Sequence, residues 1–225
     1  MPEPHDKIIA AAAKAALGSL NFQRKGRSRL WFSDFSWWLA VVEFQPSSWS
    51  KGSYLNVAAH WLWGELGCIS FDFGGRLVEF EEYQSDEQFA PAASRLAQRA
   101  AREAQHLSLT FSSMENTADI LLREARATSA PGTGNGYPGW LEYHAGIASA
   151  LVGRAADASE MFAAILNKPA PGGSVVHTAA ECMAGLVLEP LALKRKVSSL
   201  IERQRKALRL TVLDASPIDW PLSRR

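Results

Sequence analysis

A histidine and an aspartate on two neighbouring predicted strands could together act as an acid and a base. His60 lies in a segment that alternates polar and apolar residues, and Asp72 lies in the next such segment. If the two strands pair through their apolar residues, the imidazole and the carboxylate share the other face of the sheet. A histidine oriented by a carboxylate can transfer protons near neutral pH. Because the pattern offers no nucleophile beyond the hydroxyls of Ser70 and Tyr54, a hydrogen-bonded structural histidine is the favoured interpretation.

A cluster of cations just before and within the first predicted strand forms a second candidate site. It places four cations within six residues: Arg24, Lys25, Arg27 and Arg29. Such a cluster can bind a phosphate or a carboxylate through charge-assisted hydrogen bonds. The alternative is a solvated loop and edge strand, where positive charge prevents edge-to-edge pairing. Acidic residues further along the chain could balance these charges: Glu79, Glu81, Glu82, Asp86 and Glu87.

Tryptophans are concentrated in the same part of the chain. Six of the eight lie between Trp31 and Trp63, and most of them must belong to the core because each buries a large area. Trp49 differs, since it stands in a loop rich in serine, lysine and glycine. An exposed tryptophan near arginines is typical of a contact with a protein partner. For any single tryptophan, however, packing in the core or against a turn is the favoured interpretation.

Two further patterns suggest phosphate or nucleic-acid binding. The glycines at positions 132, 134 and 136 follow a predicted helix and run into Tyr137, whereas a dinucleotide-binding loop follows a strand and opens a helix. We therefore interpret them as part of a linker. The last predicted helix is basic and amphipathic, which is typical either of a docked surface helix or of one that contacts an anionic polymer. Its cations are Lys194, Arg195, Lys196, Arg203, Arg205, Lys206 and Arg209.

The elements that must position these residues follow from periodicity. An alanine-rich amphipathic helix is predicted from Asp6 to Leu17. Alternation then predicts four strands, joined by short links that favour antiparallel neighbours. They span residues 27–33, 35–44, 54–63 and 68–73, and the second is apolar almost throughout, as a strand covered on both faces would be.

After Gly74 and Gly75 the pattern predicts helices only, at 86–105, 112–126, 140–152, 154–166, 175–188 and 193–213. The fold class is therefore α+β, with a mainly antiparallel curved sheet of four or more strands packed by helices, followed by an α-helical C-terminal region. We expect an α+β domain over residues 1–127, a Gly/Pro-rich linker at 128–139, a helical region at 140–213 and a tail at 214–225. Gly146, Ala158 and Phe162 have spacings similar to one tetratricopeptide hairpin, which we interpret as an ordinary helix hairpin.

Composition and charge limit the classes of function. The chain has 225 residues and a formal net charge of +1, which argues against a dedicated nucleic-acid or membrane-surface protein. No charge-free stretch is long enough to span a bilayer. The two cysteines, Cys68 and Cys182, form no disulfide framework, so a reducing, cytoplasmic location is expected, with Cys182 buried as a small apolar residue. No metal or nucleotide motif is present, and we expect no cofactor.

The segment from Leu17 to Val57 resembles the domain-of-unknown-function 4304 family of bacterial proteins. The resemblance is carried by Leu17, Leu20, Phe22, Arg24, Lys25, Gly26, Arg27, Trp31, Phe32, Val41, Val42, Phe44, Gln45, Ser47, Trp49, Asn56 and Val57. It covers roughly residues 10–105, and it departs from the family at Asn21 and Ala58, where glycines are common. It implies a bacterial cytoplasmic protein with a helix packed on an antiparallel sheet, and it implies no activity. By analogy with small bacterial families that neutralise toxins, it suggests an immunity-type partner.

Three hypotheses for the function follow. The first is a protein-binding module without catalytic activity, whose contact surface consists of Arg24, Arg27, Arg29, Trp31, Trp49, Asn56 and His60. The second is a small-ligand-binding protein or enzyme with a pocket between sheet and helices, lined by His60, Asp72 and the arginines. The third is nucleic-acid binding through the basic patches. The sequence favours the first and leaves the partner and the oligomeric state open.

Overall fold

The structure, a computed structural model, describes residues 3–64, 66–128, 139–169, 174–214 and 216–218. The chain divides into two units, Met1–Trp61 with Ile69–Leu109, and Leu62–Cys68 with Thr110–Arg225. The α+β unit expected over residues 1–127 thus ends near residue 109 in this division. Nearly all of the predicted linker and most of the predicted tail lie outside the described residues.

The first unit begins with helix α1 (Pro4–Leu17). Proline is favoured at the first helical position because it has no N–H to leave unpaired, so the helix starts two residues earlier than predicted. Buried residues recur at every fourth position, His5, Ile9, Ala13 and Leu17, and form one stripe along the helix. A single 3₁₀ turn follows and ends at Asn21, whose φ of 59° lies in the left-handed region that asparagine tolerates.

The sheet has five strands among the described residues: β1 (Gln23–Arg24), β2 (Leu30–Asp34), β3 (Trp38–Glu43), β4 (Gly52–Trp61) and β5 (Phe73–Glu82). Each strand pairs antiparallel with the next in chain order, so the sheet is an open meander. Helix α2 (Asp86–Thr110) follows. The predicted α+β architecture with an antiparallel sheet and a helical C-terminal region is confirmed.

The middle of the sheet is covered on both faces. All residues from Trp38 to Val42 are buried, as the unbroken apolar run predicted, and so is nearly all of β4. Cross-strand register assigns Trp31, Val42 and Val57 to one face, while Asn56 and His60 lie on the other. The polar residues of β4 are therefore buried rather than turned towards water.

The position of the last strand differs from the prediction of a strand at residues 68–73. The segment that alternates at residues 68–73 forms an irregular connection, and β5 begins at Phe73, where helices were expected to follow shortly. Gly74 permits this because the backbone of β4 approaches it closely: a Cβ there would lie 2.5 Å from the carbonyl oxygen of Val57. A glycine can therefore mark a place inside a strand where another backbone approaches closely, and not only the end of a strand.

The second unit is helical. Its helices are α3 (Met114–Thr128), α4 (Trp140–Leu151), α5 (Ala155–Leu166), α6 (Val175–Ala184) and α7 (Pro190–Leu208), and a 3₁₀ turn at Leu62–Gly64 belongs to it. Helices α4 and α5 form the predicted hairpin, in which Gly146 contacts the ring of Phe162. Val197, Leu200 and Ile201 of α7 are buried, as the amphipathic pattern predicted.

Candidate functional site

A groove of about 940 Å³ lies in the first unit, where α1 passes the chain that leads into β2. All three cationic positions that were predicted to bind, Arg24, Arg27 and Arg29, line it. The remaining lining residues come from α1, the turn before β2 and the end of β3: His5, Asp6, Lys7, Ala10, Lys25, Ser28, Leu30, Glu43 and Pro46. The structure therefore brings the cation cluster to a concave surface.

Two of the arginines hold the walls of the groove in place. The Arg24 guanidinium donates to the carbonyl oxygens of Ser28, at 2.5 Å, and Arg27, at 2.9 Å, and so closes the turn before β2. Arg29 donates through Nε to Oδ1 of Asp6, at 2.6 Å, and through Nη1 to the carbonyl oxygen of Gly52, at 2.8 Å. These contacts fasten α1 and the start of β4 to the chain entering β2.

Three other cations face solvent around the same groove. Lys7, Lys25 and Arg27 are exposed, and the structure shows no carboxylate paired with their side chains among the described residues. Their charge is available to a ligand because neither an internal ion pair nor burial reduces it. Of the four cations in the predicted cluster, Arg24 and Arg29 make hydrogen bonds within the protein, and Lys25 and Arg27 are exposed.

His5 is the functional candidate that the sequence analysis missed. Its side chain lines the groove yet is only 6% exposed, and its ring packs on Tyr83 with centroids 5.3 Å apart. The Nδ1 atom is buried without a hydrogen-bond partner in the described part of the chain. Burial, followed by the nearby charge of Arg29, lowers the pKa of His5 from 6.5, so the ring is neutral at pH 7. The spacing of four between His5 and Ile9 was the available signal, because it places the histidine on the apolar stripe of α1.

Trp49 lies on an exposed loop next to the groove. It is 95% exposed, and the loop is closed at its base by a hydrogen bond from Tyr54 N to the carbonyl oxygen of Gln45, at 2.9 Å. Pro46, at one end of the loop, lines the groove, while Gly52, at the other end, accepts from Arg29. The arginine that shapes the groove thus also fixes the loop that carries the tryptophan.

Asn56 is the cross-strand neighbour of Glu43, which lines the groove, and is not exposed. Leu30, Glu43, Asn56 and Arg76 are cross-strand neighbours in one row across four strands. The Asn56 side-chain nitrogen donates to Glu43 Oε2, at 2.9 Å, and to Gln45 Oε1, at 3.0 Å. Since both contacts are internal, the prediction that Asn56 belongs to an exposed contact surface was wrong.

Trp31 and His60 are also excluded from an exposed surface. Both are buried, and the register places them on opposite faces of the sheet. They were expected on one outer face because alternate polar residues usually mark the side that water reaches. Here the polar residues have partners inside the protein, which makes their burial tolerable.

The cluster around His60 does not have the geometry of a catalytic triad. Nδ1 of His60 lies 2.8 Å from Ser70 Oγ and 3.0 Å from Asp72 Oδ2, and Ser70 donates to Asp72 Oδ1 at 2.6 Å. A triad needs the serine and the acid on different ring nitrogens. None of His60, Ser70 and Asp72 is among the residues that line the arginine groove.

The remaining sequence candidates have the following places. Cys68 and Cys182 are free and exposed, so the expectation of a buried Cys182 was wrong. On α7, Lys194, Arg195 and Glu202 line a separate shallow cavity of about 480 Å³ in the second unit. In the described ranges, no group of three or more His, Cys, Asp and Glu side chains could hold a metal ion. No helix there is both long enough and apolar enough to cross a bilayer.

Comparison of the chain with protein-family models, with curated proteins and with solved structures finds no match in any of the three. The resemblance to the domain-of-unknown-function 4304 family stays a prediction.

Proposed function

We propose that the first unit is a protein-binding module without a catalytic step, whose contact surface consists of the groove and the Trp49 loop. The observation that carries the proposal is the exposure of Trp49 on a loop fixed beside a cation-lined groove. A tryptophan left almost wholly in water gains apolar burial on binding, and such residues dominate the energy of many protein interfaces. Exposed arginine and lysine at the rim add electrostatic complementarity and specificity.

This surface keeps four of the residues first expected to bind, Arg24, Arg27, Arg29 and Trp49, and adds His5, Lys7 and Lys25. Arg27 and Lys25 would contact the partner, while Arg24 and Arg29 would position the turn and the loop. An immunity-type role, in which the bound protein is a toxin, would be one form of this function. The two exposed free thiols are compatible with the cytoplasmic location proposed from the composition.

An enzyme is disfavoured by the chemistry of the buried cluster. His60 has no exposed surface, and its ring nitrogen Nδ1 already faces both Asp72 and Ser70. A proton acceptor must reach the proton that it removes, which requires an approach for the substrate. A surface built from arginines and a tryptophan supports binding better than it supports a reaction.

Affinity capture with single-residue variants tests the proposal. The full chain, Trp49→Ala and Leu188→Ala would each be immobilised and exposed to a bacterial lysate. Leu188 is the matched control because it is 85% exposed and belongs to the second unit. We expect at least one protein that the full chain and Leu188→Ala retain and that Trp49→Ala loses. Recovery of no protein, or of the same proteins by all three forms, would contradict the proposal.

A further inference from the structure

We propose that the groove receives an acidic segment of the partner protein, with its carboxylates beside Lys7, Lys25 and Arg27 and one of them hydrogen-bonded to His5 Nδ1. This inference rests on the proposed function and specifies the chemistry of the partner. Three observations support it: the exposed cations around the groove, the unpaired Nδ1 of His5, and the position of Asp6 and Glu43 among the cations.

The charge of the groove is positive and is partly uncommitted. Among the described residues that line it are five lysines and arginines but only two carboxylates, those of Asp6 and Glu43. Both carboxylates have internal partners, since Asp6 pairs with Arg29 and Glu43 accepts from Asn56. The cations at the rim are exposed, and a ligand of opposite charge would meet them without breaking a contact of the fold.

His5 provides the second, independent observation. An unpaired buried nitrogen is costly, and natural proteins rarely leave one without a reason. In its neutral form the imidazole can carry a proton on Nδ1 and donate it to a carboxylate oxygen. Because this atom is closed to water in the free protein, the ring must turn for the contact to form. Rotation of the ring is favoured when a carboxylate is present, because Nδ1 then gains a hydrogen-bond partner.

An acidic peptide fits this groove better than a nucleic acid does. Asp6 and Glu43 lie among the cations and would repel the closely spaced phosphates of a polynucleotide. Within the groove, the buried ring of His5 packs against Tyr83, so bases could stack only on Trp49 of the neighbouring loop. Carboxylates separated by neutral residues can avoid the two acids and still reach Lys7, Lys25 and Arg27.

Fluorescence anisotropy with labelled peptides tests the inference on the full chain. The probe is a fluorescein-labelled peptide in which glutamates alternate with serines, and its control has glutamine at every glutamate position. We expect the glutamate peptide to bind about tenfold or more tightly than the glutamine peptide, and its affinity to fall as salt is added. Equal affinity for the two peptides, or no binding of the glutamate peptide, would overturn the inference.

Matched variants locate the binding. Arg27→Glu should weaken binding of the glutamate peptide about tenfold, and His5→Phe, which keeps an aromatic ring against Tyr83, about threefold. Lys206→Glu changes the net charge as much as Arg27→Glu does, but on the exposed side of α7, and should leave the affinity within about twofold. An equal loss in Lys206→Glu, or tighter binding of a single-stranded oligonucleotide of the same length, would refute an acidic peptide in this groove.

The two proposals fail in different ways. If a protein is captured through Trp49 but the glutamate peptide does not bind, the protein-binding function stands and the acidic partner is wrong. If the peptide binds but no protein is captured, the protein-binding function fails, and the inference about its partner fails with it.

Discussion

His60 and Asp72 meet at a single ring nitrogen: Nδ1 of the buried imidazole lies 3.0 Å from Oδ2 of the carboxylate. The same oxygen accepts from the backbone N–H of Trp61, at 2.7 Å, and the other oxygen accepts from Ser70 Oγ. One carboxylate therefore accepts from Trp61 N–H and Ser70 Oγ and lies against the His60 ring nitrogen, at the point where β4 ends and the connection to β5 returns. The pair has a structural role, because it fixes this connection.

The first prediction concerns this carboxylate. Asp72→Ala removes the carboxylate that accepts from the buried Trp61 N–H and from Ser70 Oγ and that lies against His60, so we expect it to lower the free energy of unfolding by about 3 kcal/mol. Denaturant-induced unfolding measures the change. Asp214→Ala is the control, because Asp214 is exposed and should shift the free energy by less than about 0.5 kcal/mol. Similar losses in the two variants would show that the network contributes little.

The second prediction concerns His5, whose unpaired Nδ1 is proposed to bind a ligand and lowers the stability of the free protein. His5→Phe keeps a ring against Tyr83 and removes the unpaired nitrogen, so we expect it to raise the free energy of unfolding at pH 7 by about 1 kcal/mol. Thermal or denaturant unfolding measures the change. A loss of stability would show that the nitrogen has a partner in solution.

The stability of the natural chain relative to His5→Phe should also depend on pH. Burial and Arg29 lower the pKa of His5 in the folded state, against the smaller opposite effects of Asp6 and Glu3. The unfolded chain then binds the proton more readily, so the stability contributed by neutral His5 is complete above about pH 6.5 and is lost as the pH falls through the folded-state pKa. A difference between the two forms that is constant from about pH 8 to about pH 5 would contradict the lowered pKa.

The third prediction concerns Arg29, whose guanidinium joins α1 to the start of β4. Arg29→Lys keeps the charge but cannot donate to Asp6 and Gly52 together, so we expect a loss of about 1–2 kcal/mol. Hydrogen exchange should become faster at the backbone amides of residues 47–52, which include the Trp49 loop. Arg126→Lys is the control, because Arg126 pairs with exposed carboxylates on α5 and its ion pairs contribute little. Unchanged exchange at the amides of residues 47–52 in Arg29→Lys would show that Arg29 does not hold the Trp49 loop in place.

The sequence predicted the central strands and the helices well because their periodicities are long and regular. The contact between His60 and Asp72 was also predicted, although Asp72 reaches the histidine from an irregular connection and not from a paired strand. What the pattern could not distinguish was a polar residue facing water from a polar residue with a buried partner. Asn56 alternates like a surface residue, yet Glu43 and Gln45 accept its hydrogen bonds inside the protein.

Two other differences have local causes. Strand β5 was missed because Gly74 and Gly75 resemble a strand end, whereas the close approach of β4 requires a residue without a side chain at Gly74. His5 was missed because the predicted helix began at Asp6, so the spacing of four from Ile9 was not extended back to it. The loop composition around Trp49 explains its exposure, although the sequence favours core or turn packing for any single tryptophan: serine, lysine and glycine form no apolar surface on which the indole could pack.

The last prediction tests the helix hairpin of the second unit. A Cβ at Gly146 would lie 2.7 Å from the ring of Phe162, which is fully buried. In an open helix, Gly→Ala would stabilise by about 1 kcal/mol. Here the steric conflict should outweigh that gain, so we expect Gly146→Ala to lower the free energy of unfolding by about 1–3 kcal/mol. The matched variant is Gly185→Ala at the end of α6, where the nearest atom would be 3.8 Å away and φ is −63°, and it should be neutral or stabilising by about 0.5 kcal/mol. A stabilised Gly146→Ala variant would mean that α4 and α5 pack less closely than the structure indicates.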